Sequence, residues 1–109
     1  MFNDYRDCIK ACDRCAAICK QCMASCLAEP DVGSLIYCMQ LDLECAAICR
    51  AASELMTLGN NFSHKVCQLC AEICLACATE CEKHNKEHCR LCASTCRWCA
   101  TQCMNLVAA

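Results

Sequence analysis

Nineteen of the 109 residues are cysteines, and most of them recur every three or four positions. Such alternating steps place side chains along one seam of an α-helix, the a and d positions of a heptad repeat. The cysteines are Cys8, Cys12, Cys15, Cys19, Cys22, Cys26, Cys38, Cys45, Cys49, Cys67, Cys70, Cys74, Cys77, Cys81, Cys89, Cys92, Cys96, Cys99 and Cys103. Helical bundles normally fill this seam with leucine or isoleucine, whereas thiols are soft metal ligands. The pattern therefore indicates a helical core that holds metal.

The spacing of the thiols favours copper. Eight Cys-x-x-x-Cys pairs can be taken from the chain without overlap, from Cys8 and Cys12 to Cys99 and Cys103. Residues four apart on a helix have Cβ atoms about 5–6 Å from each other, so two thiolates there can approach to roughly 4.5 Å. That separation suits a Cu(I) ion in near-linear coordination, and soft thiolates select Cu(I). The sequence therefore predicts several Cu(I) ions per chain.

A protein that sequesters zinc or another soft metal is the main alternative. A Zn²⁺ ion with four thiolates leaves a buried charge of about −2 at each site, and several such sites in one core repel one another. A Cu(I) ion that displaces one thiol proton leaves the charge of the core unchanged. A third possibility is a structural bundle whose cysteines are small core residues, but nineteen of them argue against it.

Three further side chains are candidate metal ligands. Asp42 occupies a seam position of the second helix, where a carboxylate needs a metal ion, a proton or a hydrogen-bonding partner. His84 continues the seam of the third helix one step beyond its last cysteine, and His88 adjoins the first cysteine of the fourth. Both histidines are alternatively solvated loop residues, but their alignment with the thiols favours metal binding. His64 is predicted to be a surface residue.

The elements that position these residues are helices. Glycine and proline are rare and fall between cysteine runs, at Pro30, Gly33 and Gly59. Gly59 is predicted to end the second helix and Ser63 to cap the third. The four predicted helices are 4–28, 34–57, 63–83 and 86–106. Because short loops make successive helices antiparallel, we expect an all-α fold, an antiparallel up-down-up-down four-helix bundle with a cysteine-lined core, in one domain of residues 1–109.

Charge and composition exclude several classes of partner. The net charge of −2 and the lack of a basic stripe argue against nucleic acid and anionic membranes. The first residues lack the pattern of a signal peptide, and no run of 18 apolar, uncharged residues is present, so we expect neither export nor a membrane span. These features predict a cytosolic protein.

The same composition bears on redox state and catalysis. The cytosol keeps thiols reduced, and an odd number of cysteines cannot pair completely into disulfides. Cysteines three or four apart on one helix are also poorly placed for the geometry of a disulfide. No nucleophile and base are paired in the sequence, and a core of thiolates leaves no open coordination site beside an acid or base. We therefore expect no enzyme activity.

The cysteine seam, residues 38–49 and the turn at 83–89 together closely resemble the cytosolic bacterial copper storage proteins. The resemblance extends over essentially the whole chain. It implies storage and buffering of many Cu(I) ions on core thiolates in the bacterial cytosol, by a homotetramer. It also implies that the nineteen cysteines bind copper together with Asp42, His84 and His88.

One pair of residues indicates where copies of the chain meet. Leu91 and Trp98 lie seven positions apart on the outer face of the fourth helix, where polar residues are expected. An aligned apolar pair of this kind predicts a contact patch. With the resemblance, it predicts a symmetric homotetramer that uses this or a neighbouring face.

The two ends of the predicted bundle differ. One end carries His84 and His88, whose neutral imidazoles can bind copper transiently. The other end gathers bulky side chains that we expect to close it, namely Phe2, Tyr5, Met56, Phe62 and Leu106. The sequence therefore predicts that copper enters through the histidine end.

Overall fold

The computed structural model describes residues 2–59 and 61–108, with side chains from Tyr5 onward. A short 3₁₀ turn at Val32–Leu35 precedes the second helix, and no strand occurs in the described residues. The helices are α1 (Phe2–Leu27), α2 (Ile36–Leu58), α3 (Ser63–Cys81) and α4 (Glu87–Ala108). The predicted all-α fold is thus confirmed.

The four helices form an antiparallel bundle. Helix α1 packs against α2 and α4, and α3 packs against the same two helices. The first and third loops lie at one end, because Lys86 Nζ is 3.0 Å from a carboxylate oxygen of Asp31. The bundle measures 46 × 19 × 17 Å. This arrangement confirms the predicted up-down-up-down topology and directs one seam of every helix toward a shared axis.

The helix ends differ in part from the sequence prediction. Gly59 adopts a left-handed conformation at φ 67°, and its N–H donates to the carbonyls of Leu55 and Met56, so its predicted role at the end of α2 is confirmed. Ser63 is instead the first residue of α3, after Phe62. Its hydroxyl donates to the Leu55 carbonyl at 3.5 Å, so the prediction that Ser63 caps α3 is wrong.

Helix α3 ends earlier than predicted, and this change affects a candidate ligand. Its last residue is Cys81. The chain then turns, and the N–H of His84 donates to the Cys81 carbonyl at 3.1 Å. Such three-residue bonds commonly tighten a helix end. His84 therefore lies beyond the helical seam on which the sequence placed it.

Small residues surround the thiols in the core. Alanines that flank the seam, such as Ala11 and Ala78, are fully buried, and their size lets the helices approach closely. Leu35, immediately before the second helix, is also fully buried. The axis is therefore occupied by sulfur rather than by branched hydrocarbon side chains.

The second helix is the most apolar part of the chain. Residues Val32–Leu58 are long and apolar enough, by length and composition alone, to cross a membrane. Cys38, Cys45 and Cys49 of this segment lie buried against the other helices, and 39% of its most apolar stretch is buried within the bundle. A buried helix of a bundle satisfies the same criterion.

Candidate metal centre

All nineteen cysteines are buried, and none forms a disulfide within the part of the chain that the structure describes. Their thiols meet across the bundle axis. The Sγ atom of Cys15 lies 3.7 Å from that of Cys96 and 3.9 Å from that of Cys45, and Cys45 lies 3.6 Å from Cys74. Two sulfur atoms that bind the same metal ion, each at a bond length of about 2.3 Å, are at most about 4.6 Å apart. These thiols can therefore share metal ions.

Cysteines within one helix also approach each other as the spacing predicts. The sulfur atoms are 3.9 Å apart in Cys15 and Cys19 and in Cys92 and Cys96. Cys70 and Cys74 are separated by the same 3.9 Å. Thiols such as Cys15 and Cys96 thus have sulfur neighbours both on their own helix and on facing helices. Two-coordinate sites within single helices, as the spacing alone suggests, do not include the contacts between helices.

The thiols form overlapping groups rather than isolated sites. In each group of four, the sulfur atoms lie within 4.8 Å of one another. The groups include Cys12, Cys49, Cys70 and Cys99; Cys15, Cys49, Cys74 and Cys99; Cys15, Cys19, Cys45 and Cys96; Cys19, Cys77, Cys92 and Cys96; and Cys22, Cys26, Cys38 and Cys89. The first four are linked by shared cysteines. Separate tetrahedral zinc sites need four ligands each, whereas a continuous row suits thiolates that bridge several Cu(I) ions.

Asp42 lies in the row as a fully buried carboxyl group. Its Oδ1 atom accepts hydrogen bonds from the thiols of Cys92 at 3.2 Å and Cys77 at 3.3 Å. Its Oδ2 atom has no hydrogen-bond partner in the described residues. Burial raises the pKa of Asp42 to about 9, because an apolar site disfavours the charged form. The orphaned Oδ2 fits either a proton or a metal ion.

His88 reaches the thiols at the end that holds the first and third loops. Its Nδ1 atom lies 3.6 Å from the sulfurs of Cys22 and Cys89 and 3.8 Å from that of Cys26. Its Nε2 atom lies 2.9 Å from Oε2 of Glu29. Because a carboxylate accepts the Nε2 proton, Nδ1 directs its lone pair at the thiols. The structure thus brings His88 together with predicted cysteine ligands.

Thiols at this end differ in how readily they ionise. Burial raises the pKa of Cys26 to about 11 and that of Cys89 to about 12. Hydrogen bonds with Cys22 and Cys81 instead lower the pKa of Cys38, and the neighbouring His84 acts in the same direction. Cys38 therefore forms a thiolate more readily than Cys26 or Cys89 does, and an arriving metal ion needs a thiolate.

His84 is placed differently from His88. Its Nε2 atom lies 2.9 Å from Oε2 of Glu80, and Lys83 contacts the other oxygen of the same carboxylate at 3.1 Å. His84 is half-buried, so it is not a fully solvated loop residue. His84 has this position because α3 ends at Cys81 and not at residue 83, as the sequence predicts. His64 is exposed, as predicted.

A surface cavity leads to the His88 end of the row. It lies between α1 and α4 and has a volume of about 410 Å³. Its lining residues are Ile18, Gln21, Cys22, Glu87, His88 and Leu91. One histidine and one cysteine of the candidate centre therefore line this cavity, although Cys22 itself is only 1% exposed.

The opposite end is closed by fewer bulky side chains than the sequence predicts. Met56 is fully buried, and Tyr5 and Leu106 pack partly buried against the core. Phe62 is 60% exposed, so the prediction that it fills this end is wrong. The side chain of Phe2 lies outside the described residues.

A comparison with known families decides the identity of this thiol-lined bundle. The family model described as copper storage protein matches residues 1–108. The chain belongs to the copper storage protein family. The family was expected from the cysteine seam, and that expectation is confirmed.

Several relatives of this copper storage family member are known. The uncharacterized cysteine-rich protein YhjQ of Bacillus subtilis is 45% identical over 81 residues, which cover 74% of this chain and 75% of YhjQ. The structure of the Cu(I)-bound copper storage protein BsCsp3 has a TM-score of 0.92 and 42% identity, covering 95% of this chain and 98% of BsCsp3. A cytosolic copper storage protein from Streptomyces lividans, solved with five coppers, has a TM-score of 0.95 and 38% identity, with coverage of 99% and 95%.

Three residues of this copper storage fold enter the site without having been predicted as ligands or ligand partners. Glu80 precedes His84 by four residues, a spacing at which side chains on a helix contact each other. This pair could therefore have been predicted from the sequence. Met56 lies in the seam register of α2 and touches a thiol. Glu29 lies in the first loop, 59 residues from His88, and no sequence period relates the two.

Proposed function

We propose that this chain stores and buffers multiple Cu(I) ions on its core thiolates. The observation that carries the proposal is the continuity of the sulfur row, in which thiol groups share members. Each incoming Cu(I) ion replaces a thiol proton, so the row can fill without accumulating buried charge. Zinc lacks this property, because each four-thiolate zinc site adds about two negative charges.

The proposed ligands are the nineteen cysteines with Asp42, His84 and His88. Asp42 is supported by its orphaned Oδ2 beside the Cys77 and Cys92 thiols. His88 is supported by the direction of Nδ1 toward three thiols. His84 touches Glu80 rather than a thiol, and we propose that it takes part at an early, transient stage of binding.

Related proteins and the exposed surface support proposals for the location of this chain and for its assembly. A related protein is described as a cytosolic copper storage protein, and we place this chain in the bacterial cytosol as one storage domain. Leu91 and Trp98 are 45% and 44% exposed, and this aligned apolar pair supports a homotetramer. We propose storage rather than catalysis, because the family that the chain matches is described as copper storage protein.

Anaerobic titration of the reduced chain with Cu(I), under a competing chelator, tests the function. The expected plateau is on the order of 15–20 ions per chain, since bridging lets the number of ions approach the number of thiols. Protons should be released as the thiols ionise. A plateau near four or five ions, or a preference for Zn²⁺ over Cu(I) in a parallel titration, would instead support tetrahedral sites. Failure to bind either metal would favour a purely structural bundle.

A further inference from the structure

Met56 occupies a position in the sulfur row that the cysteines of α2 leave open. The seam of this helix runs through Cys38, Asp42, Cys45 and Cys49 and reaches Met56 by the same alternation of steps. Met56 is fully buried, at the end of the bundle away from His88. Its sulfur lies seven residues, or two seam steps, beyond Cys49, the last thiol of α2, with Ala52 at the position between them.

The Met56 sulfur meets a thiol directly. The Cys67 thiol donates a hydrogen bond to Met56 Sδ at 3.6 Å, and both residues are fully buried. Two sulfurs on one ion at bonds of about 2.3 Å are at most about 4.6 Å apart. The pair thus lies within the reach of a single ion without any change of helix packing.

Other thiols lie next to this pair. Cys8 and Cys103 are 3.5 Å apart, and contacts with both raise the pKa of the Cys67 thiol. Cys103 also lies 3.8 Å from Cys12, which joins this end to the rest of the row. A thioether here adds a donor without adding charge, so a Cu(I) ion on Met56 and one thiolate forms a neutral buried unit.

A role in core packing alone explains the contact between Met56 and Cys67 less well than a role as a metal ligand. Methionine fills irregular gaps in cores because its side chain is flexible, and that role requires its volume rather than its sulfur. A volume-filling methionine has no need to direct Sδ at a thiol hydrogen. Met23 and Met39 provide the comparison, because both are half-buried and neither sulfur contacts a thiol among the hydrogen bonds of the described residues.

We propose that the Met56 thioether is a Cu(I) ligand, which forms with the Cys67 thiolate the last copper site at the end of the bundle away from His88. The inference rests on the proposed storage of copper and adds a ligand of a different chemical class. In binding, the Cys67 proton passes to solvent and Cu(I) bonds to both sulfurs, with no change of oxidation state.

The test is an anaerobic Cu(I) titration of the full chain labelled with ¹³C at the methionine methyl groups. Single replacements of the methionines by leucine assign the resonances, and four of the five suffice to assign Met56 by elimination. The Met56 methyl resonance should shift in the course of loading, while that of the exposed Met104 stays in place. A Met56 resonance that keeps its metal-free position in the fully loaded chain would overturn the proposal.

A second measurement compares Met56→Leu with Met39→Leu, a matched control at a half-buried methionine. Both swaps nearly conserve volume and are the kind that cores tolerate best. Met56→Leu should retain one Cu(I) ion fewer per chain under the competing chelator, and Met39→Leu should retain the full number. Equal numbers in the two variants would overturn the ligand role of Met56 while leaving storage intact. A chain that binds no copper at all would overturn both.

Discussion

The Glu29 carboxylate holds the ring of His88, with Oε2 at 2.9 Å from Nε2. The two residues are 59 positions apart, and they connect the first loop to the start of α4. Because Nε2 is directed at this carboxylate, Nδ1 on the other side of the ring faces Cys22, Cys26 and Cys89. This contact sets the direction of the one imidazole that touches the thiol row.

Replacing Glu29 by glutamine should therefore slow copper uptake. Partners of metal-binding histidines typically change metal affinity by about 10–100-fold when they are mutated. For a transient ligand at the mouth of the row, we expect Glu29→Gln to slow loading several-fold while the final number of ions stays the same. Stopped-flow mixing with a Cu(I)–chelator complex measures the rate. Asp31→Asn is the control, because Asp31 pairs with Lys86. Equal rates in the two variants would show that Glu29 does not orient the ligand.

The two histidines at this end should contribute unequally to exchange. Nδ1 of His88 contacts three thiols, whereas His84 contacts Glu80. The double variant His84→Ala and His88→Ala should load slowly and release copper slowly to a chelator, with nearly full capacity. Of the single variants, His88→Ala should account for most of the change in both rates.

His64→Ala serves as the control for these variants, since His64 is exposed on α3. Unaltered rates in the double variant would place the route of copper elsewhere. Faster exchange after truncation of Leu106 alone would place it at the opposite end.

Asp42 should make the stability of the metal-free chain depend on pH. Its pKa of about 9 in the folded chain lies above the unfolded value of about 3.9, so the folded state binds more protons between these limits. The contribution of Asp42 to the free energy of unfolding should therefore be fully present below about pH 4 and be lost as pH rises toward about 9. Asp42→Asn removes this titration, so the free energy of unfolding of the variant should depend less on pH. The change in this free energy caused by the substitution should be about 1–3 kcal/mol more stabilising at about pH 7.5 than at about pH 5.

Anaerobic denaturant unfolding at several pH values measures this difference. Asp13→Asn is the control, because Asp13 is exposed on α1. Parallel pH profiles for wild type and Asp42→Asn would contradict the prediction. Loading the same variants with Cu(I) separates the roles of the carboxyl group, because loss of the orphaned Oδ2 should remove a metal site near Cys77 and Cys92, whereas Asp13→Asn should keep the full number.

The exposed face of α4 should determine assembly. Replacing both Leu91 and Trp98 by glutamate places like charges on every copy of the patch, which should convert a homotetramer to smaller species. Sedimentation at micromolar concentration measures the change. Leu75→Glu on α3 is a matched control, since Leu75 is 43% exposed. A wild-type chain that sediments as a monomer would rule the tetramer out.

Helical period predicts much of this fold and its thiol centre. The three-and-four spacing that aligns Cys15 and Cys19 on one helix also forces them to the axis, so burial of the thiols follows from the sequence. The position of His84 does not follow, because α3 ends at Cys81 and the seam stops there. The end of a helix depends on local bonds such as that from His84 N–H to the Cys81 carbonyl, which periodicity does not encode.

Contacts between distant segments are the other part that the sequence leaves open. Glu29 contacts His88 because the first and third loops lie at the same end of the bundle. The conformation of the first loop, which brings the two side chains together, is not encoded by any sequence period. The Cys67 contact with Met56 is an intermediate case. Its register can be deduced from α2, but the direction of a flexible thioether depends on the packing around it.

The bundle is more than twice as long as it is wide, at 46 × 19 × 17 Å, and this shape gives the stored ions an order. Neighbouring sulfurs 3.5 to 4.0 Å apart let an ion pass from one to the next by exchange of ligands, without release into water. Ions admitted beside His88 that move inward are then the ones furthest from the exit. Copper taken up first would leave last, so depth along the axis records the history of uptake, and two isotopes supplied in succession would emerge in reverse sequence.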